Sequence, residues 1–196
     1  ASRYGTAFSA AYRDQHEPET AAEDVAVLES LGPSRPVAVN FTENAGREDA
    51  PILLRLIHHG GPLTLSVRVP LLENFGFRVV DENSYEVATV EGEAPVVVHD
   101  MALEPLADGA GGDETDRLLE DAFRAVLAGE TESDGLDGLV IAAGLDWRAI
   151  SMLRTVVRYL RQIGVPYAPD YISATLVRHA GIARRLYELF RARFAP

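Results

Sequence analysis

The chain has 196 residues, 47% apolar and 24% charged, with 11 Pro, 16 Gly and no Cys. This fits one or two globular domains with a real core and excludes a disordered tail, a collagen-like repeat, any disulfide, a thiolate zinc site and a cysteine nucleophile. The net charge of −12 comes from 18 basic and 30 acidic residues, and every basic one is Arg, which removes a Schiff-base or phosphate-loop lysine and disfavours nonspecific nucleic-acid binding. The charge is uneven: residues 1–140 carry 27 acids against 9 Arg, and residues 141–196 carry 3 acids against 9 Arg. An acidic part followed by a basic part suggests two structural units that face each other. No apolar run approaches the roughly 20 residues of a membrane span. The opening stretch has neither a basic head nor an apolar h-region, so no signal peptide is expected. The chain is expected to be an excised piece of a longer cytoplasmic polypeptide.

In chain order, "TAAEDVAVLESL" over 20–31 predicts a short helix, with Thr20 and Glu23 as a capping box and Gly32-Pro33 as its stop. Val37, Val39 and Phe41 alternate with Ala38, Asn40 and Thr42, the pattern of a half-buried strand. "APILLRLIHHGG" reads as a central strand ending in two glycines. "PLTLSVRVPLLENFG" reads as a helix with Ser66 as candidate cap, in which Pro70 is awkward unless it falls in the first turn, and with Asn74 and Gly76 at its end. "FRVVDENSYEVATV" predicts one or two strands with a turn near Glu82-Asn83-Ser84, and "APVVVHDMAL" another strand. An acidic glycine loop, "ADGAGGDETD", follows, and from Glu114 the apolar period changes from 2 to 3.6. Helices are then expected over 114–128, 136–144 and 146–164, the last capped by Asp146 with a stripe of Trp147, Ile150, Leu153, Val157 and Leu160. A helix begins at Pro169, and a last one carries Ile182, Leu186, Leu189 and Phe190 on one side. Strands followed by helices make an α+β unit leading into a helical bundle.

Catalytic motifs are missing. Gly109–Glu114 lacks the third glycine of a dinucleotide fingerprint, and no Walker A, G-x-S-x-G or calcium-loop spacing occurs. No catalytic residue and no metal ligand is assigned. His58-His59 precedes Gly60-Gly61-Pro62 where a strand meets a helix. Adjacent histidines on a strand point to opposite faces and chelate one metal poorly. They read either as one packed and one exposed histidine, or as part of a ligand loop in which the glycines let the backbone approach a small molecule. Arg154, Arg158 and Arg161 recur at helical spacing. They form either a solvated stripe or a docking surface for the acidic part or a neighbouring domain.

Two stretches, "PLTLSVRVPLLENFGFRVVDENSYEV" and the run from "GETESDGLDGL" to "LFRARFAP", closely resemble the large bacterial NAD-specific glutamate dehydrogenases, and "YGTAFSAAYRDQHEPETAAEDVAVLESL" fits the same family. The resemblance implies an internal segment preceding the catalytic region: the last ACT-like domain plus a helical region. It implies an α+β, ferredoxin-like βαββαβ antiparallel sheet with helices on one face, followed by an all-α region. On this basis residues 1–34 form a lead helix and linker, 35–130 the ACT-like domain and 131–196 the helical bundle. "LLENFGFRVVDE" resembles the helix–Gly–strand step of that fold. ACT domains bind amino acids at the loop after the first strand, in paired arrangements, which maps onto His58, His59, Gly60, Gly61 and Pro62. The strand at 36–42 precedes the family pattern and no clear strand follows the helix at 114–128, so the early strand is expected to take the missing place in the sheet.

The resemblance implies a parent that converts L-glutamate, NAD and water to 2-oxoglutarate, ammonia and NADH, with NAD bound outside this segment. The segment is expected to be an inactive regulatory and scaffolding piece that binds an amino-acid effector or pairs with neighbouring ACT-like and catalytic domains, within a homo-oligomer and without nucleic-acid or membrane partners. The alternative is a purely structural oligomerisation module that binds no ligand.

Overall fold

The computed structural model describes Tyr4 and residues 7–88, 94–107 and 111–194. Parts of the expected acidic loop (108–110) and of the strand over 77–90 (89–90) lie outside the described residues.

The chain opens with a helix that the sequence pattern did not reveal. α1 spans Ala10–Gln15, and the Tyr12 amide donates to Ser9 Oγ at 3.2 Å. α2 spans Pro18–Ser30 and starts before the expected Thr20 cap. Proline at the first helical position brings its φ already set and lacks only an amide that would have had no partner. β1 (Val37–Glu43) and β2 (Ile52–His59) follow as an antiparallel pair. α3 covers Leu65–Asn74 and is preceded by Thr64, not Ser66, so Pro70 falls in the helix interior. It forgoes one backbone bond there, and its ring lies on the exposed side.

β3 (Phe77–Val87) is one continuous strand with an irregularity between Val79 and Asp81. The turn expected near Glu82–Ser84 does not form, because Asn83 pairs with Asp100 and Ser84 with His99 on β4 (Val96–Pro105). Partner strands override the local turn preference of an Asp-Glu-Asn-Ser run. α4 (Asp113–Leu127) carries Asp113, Glu114 and Asp116 in its first turn, where the helix dipole favours acids. A 3-10 turn at Gly135–Gly138, α5 (Leu139–Ala143), α6 (Trp147–Gln162), α7 (Pro169–Arg178) and α8 (Ala180–Phe194) complete the chain.

The four-stranded sheet runs β1-β2-β4-β3, with every neighbour antiparallel. The chain order is ββαββα, a permutation of the βαββαβ order. β1 comes first yet lies at the edge beside β2, the place the last strand of a βαββαβ unit would take.

Alternation sends Val39, Phe41, Leu54, Leu56, Met101 and Leu103 to an inner face beneath α3 and α4. The core there is continuous with Leu136, Leu139, Ile150 and Leu153 of the helical region. The opposite, outer face holds Ile57, Tyr85, Val87, Val96 and Val98 and packs on Phe8, Tyr12 and Leu28. Helices therefore cover both faces of the sheet rather than one, since α1 and α2 supply the second layer. A strand pair as apolar as β2 and β4 leaves neither face fit for water.

Candidate functional site

The loop from His58 to Pro62 lies at one end of the sheet. The His58 Nδ1 contacts the Gly61 carbonyl, the His59 amide donates to the Pro36 carbonyl and the Gly60 amide to the Pro95 carbonyl, both at 2.8 Å. Gly60 and Gly61 have φ of +103° and +110°, and a Cβ at either would meet nothing within 4 Å. The glycines thus serve a backbone conformation and not a close approach. His58 shares the inner face with Leu56, whereas His59 shares the outer face with Ile57. His59 borders a hollow of about 510 Å³ next to Leu28, Leu31 and Val96. The five residues therefore do not converge on one space. Among the described residues no three His, Asp or Glu side chains gather as a metal set.

Just beyond the loop lies a buried polar cluster that no motif or spacing in the sequence marks. Arg68, in the first turns of α3, pairs with Glu82 on β3 at 2.5 Å. The Ser84 hydroxyl lies 2.9 Å from Glu82 Oε1 and 2.7 Å from His99 Nδ1. His99 is 1% exposed. Burial first, and then the Arg68 charge, push its pKa down to about 4, so it is neutral near pH 7. The cluster pins α3 to the sheet. The one signal in the sequence is "HD" inside the apolar run "VVVHDMAL": polar residues in a central strand need buried partners.

A second network lies on the outer face. Arg55 on β2 holds Asp100 on β4 through two bonds of 2.8 and 2.9 Å and reaches Asp24 of α2 at 3.3 Å. Tyr12 donates to Asp24 at 2.5 Å, and His16 Nε2 sits 2.7 Å from Asp100. Burial and the Asp24 hydrogen bond raise the Tyr12 pKa well above the ordinary tyrosine range. Burial alone would lower that of Arg55, but Asp100 and Asp24 raise it further, so its charge is fixed. Beside this network opens a polar cleft of about 530 Å³ between the α1–α2 junction and the β1–β2 loop.

The three arginines of α6 part ways. Arg154 is 5% exposed and buried within the helical region, where it binds Asp134 at 2.8 Å, Asp137 at 2.9 Å and Thr131 at 3.2 Å. Its guanidinium is spent on Asp134 and Asp137, carboxylates of the acidic part of this same chain. Arg158 is exposed and pairs with Glu132, and Arg161 is exposed. Asp137 extends the network to the sheet unit: Ser133 donates to Asp137 at 2.6 Å and accepts from Asn74 of α3 at 3.0 Å.

The apolar stripe expected for α8 also changes role. Ala183 faces the core with Ala180 and Tyr187 beside it, while Ile182, Leu186, Leu189 and Phe190 are 41–67% exposed. These four side chains, at i, i+4, i+7 and i+8, form one apolar face turned to solvent.

The comparisons with known proteins agree along the chain. Residues 1–31 match the family model "Glutamate dehydrogenase, helical motif 2", 36–116 "Glutamate dehydrogenase, ACT3 domain" and 131–196 "Glutamate dehydrogenase, helical motif 3". The chain is 37% identical over 196 residues to the NAD-specific glutamate dehydrogenase of Halomonas elongata, with all of this chain aligned. It is 35% identical over 189 residues to that of Pseudomonas aeruginosa, with 95% of this chain aligned. It is 32% identical over 205 residues to that of Mycobacterium tuberculosis, again with all of this chain aligned. In each case the chain spans 12% of the relative's length.

Proposed function

We propose that this chain, which belongs to the family of NAD-specific glutamate dehydrogenases, acts as a noncatalytic regulatory and scaffolding segment of such an enzyme in the cytoplasm. The parent would oxidise L-glutamate to 2-oxoglutarate and ammonia and pass the hydride to an NAD bound elsewhere in the polypeptide. The segment would hold the neighbouring ACT-like and catalytic parts in a fixed arrangement within a homo-oligomer.

One observation carries the scaffolding half. The outward face of α8, with Ile182, Leu186, Leu189 and Phe190, is apolar and exposed. Covering four such side chains gains roughly 25 cal/mol for each Å² removed from water. The helix is itself braced: α8 packs on α5, α6 and α7, and the Asn74–Ser133–Asp137–Arg154 chain joins that bundle to α3. A load on α8 would thus reach the sheet through packed, hydrogen-bonded parts.

The test uses the full-length parent enzyme. Leu186→Gln together with Phe190→Gln should lower glutamate-dependent NAD reduction or shift the oligomeric state, while the same changes leave the melting temperature of the 196-residue chain nearly unaltered. Unchanged assembly and unchanged activity would overturn the scaffold reading. The 196-residue chain alone should reduce no NAD with glutamate; measurable turnover would overturn its noncatalytic assignment.

A further inference from the structure

We propose that the outward face of α8 receives an amphipathic helix that carries carboxylates beside its apolar stripe, and that Arg185 and Arg193 select that partner. The inference rests on the scaffold reading and names the chemistry of what covers this face.

α8 carries four Arg and one Glu, and they divide into two sets. Arg184 lies 3.8 Å from Glu188, and its guanidinium reaches the turn at Gly144, where a Cβ would meet Nη2 at 3.9 Å. Arg191 sits over the Tyr187 ring at 5.9 Å. These two side chains are turned to their own fold. Arg185 and Arg193 are exposed, and among the described residues neither forms an ion pair. Arg193 meets the ring of its neighbour Phe194 at 5.5 Å, a weak contact at an exposed site.

Their places on the helix decide what can cover it. Arg193 stands at i+7 from Leu186, i+4 from Leu189 and i+3 from Phe190, within the apolar stripe. Arg185 stands at i+3 from Ile182 and four residues before Leu189, on the border of the stripe. Glu188, two residues past Leu186, faces the other side of the helix. A wholly apolar partner would take the Arg193 charge out of water with nothing to pair it, and a basic partner would add repulsion. A carboxylate meets the need, since a guanidinium holds it through two parallel bonds. Arg185 and Arg193 lie eight positions apart, about 12 Å along the axis. Two carboxylates at that spacing fit one side of a second helix.

The same charges argue against the α8 of a second copy. Laid side by side in parallel, two such helices set Arg193 against Arg193; laid antiparallel, they set it against the apolar end at Ile182. Neither arrangement brings it the carboxylate of Glu188, and like charges opposed across an interface cost affinity. The basic character is also local. The whole chain carries −12, so long-range attraction alone would favour a basic partner.

The test is a fluorescence-anisotropy titration of the 196-residue chain with two helical peptides that share one leucine stripe and differ only in bearing Glu or Lys beside it. The Glu peptide should bind saturably and at least tenfold more tightly than the Lys peptide, against the order that net charge sets. Arg185→Gln together with Arg193→Gln should erase that preference. Leu186→Gln together with Phe190→Gln should weaken the Glu peptide at least tenfold. All four side chains are exposed, so these variants keep the fold. Equal binding of the two peptides, tighter binding of the Lys peptide, no saturable binding of either, or a Glu preference that survives loss of both arginines would overturn the proposal. So would a dimer of the unaltered chain in sedimentation that the Leu186 and Phe190 changes dissolve, because a second copy would then hold the face. If the full-length enzyme still loses activity or assembly with those two apolar changes, any of these outcomes overturns the partner's chemistry alone and leaves the scaffold reading standing.

Discussion

Arg55 of β2 grips Asp100 of β4 with both prongs of its guanidinium, at 2.8 and 2.9 Å, across the middle of the sheet. The same guanidinium also reaches Asp24 of α2. One cation therefore ties two central strands to the helical layer above them.

Arg55→Met should be among the most damaging single changes. It leaves Asp24 and Asp100, both buried, without their cation, at a cost of about 3–5 kcal/mol. Arg55→Lys should recover only part of this, since an ammonium cannot offer two parallel bonds. Urea unfolding of the three proteins checks the order wild type, Lys, Met.

His99 should make stability fall in mild acid. Its folded pKa is about 4, below the 6.5 of an ordinary histidine. The unfolded chain therefore binds a proton between those values that the folded chain does not. The stabilisation is present above pH 6.5 and is lost as the pH falls toward 4, by up to about 3 kcal/mol. His99→Gln should flatten this part of the profile; an unaltered loss between pH 7 and 5 would contradict the assignment.

Arg154 and Arg158 sit one turn apart on α6 and should behave oppositely. Arg154→Leu strands the buried Asp137 and should cost about 3–5 kcal/mol. Arg158→Ala removes an exposed pair with Glu132 and should change stability by less than about 1 kcal/mol. Thermal melts of the two variants give the comparison.

Gly61→Val should destabilise the chain by at least about 1 kcal/mol, although a Cβ there has open space around it. The cause is the φ of +110°, which a β-branched residue adopts only under strain. The same replacement at Gly32, where a Cβ also meets nothing within 4 Å and φ is not in the left-handed region, should be milder. The shift in urea midpoint measures both.

Much of the architecture was legible because it rests on local signals. The alternation of Val37, Val39 and Phe41 marks β1, the 3.6-residue stripe Ile150, Leu153 and Val157 marks the buried side of α6, and Asp146 caps that helix, accepting from the Ala149 amide at 2.7 Å. Other features were hidden because the sequence does not say what lies opposite. "DENS" over 81–84 has the composition of a turn and becomes strand because β4 offers pairing partners. Arg154 has the spacing of a surface stripe and is buried because Asp134 and Asp137 meet it. The cleft draws residues from α1, β1–β2 and β3, far apart in the chain, so no spacing rule could assemble it.

By itself, the sequence determined most of the helices and strands, where several of them stop, and the family to which the chain belongs, because periodicity, caps and motifs are properties of neighbouring residues. Only the tertiary structure decided that β1 closes the edge beside β2, that helices cover both sheet faces, and that the apolar stripe of α8 faces outward. Those outcomes depend on which surfaces meet, and a charge or an apolar face takes its role from the partner packed against it.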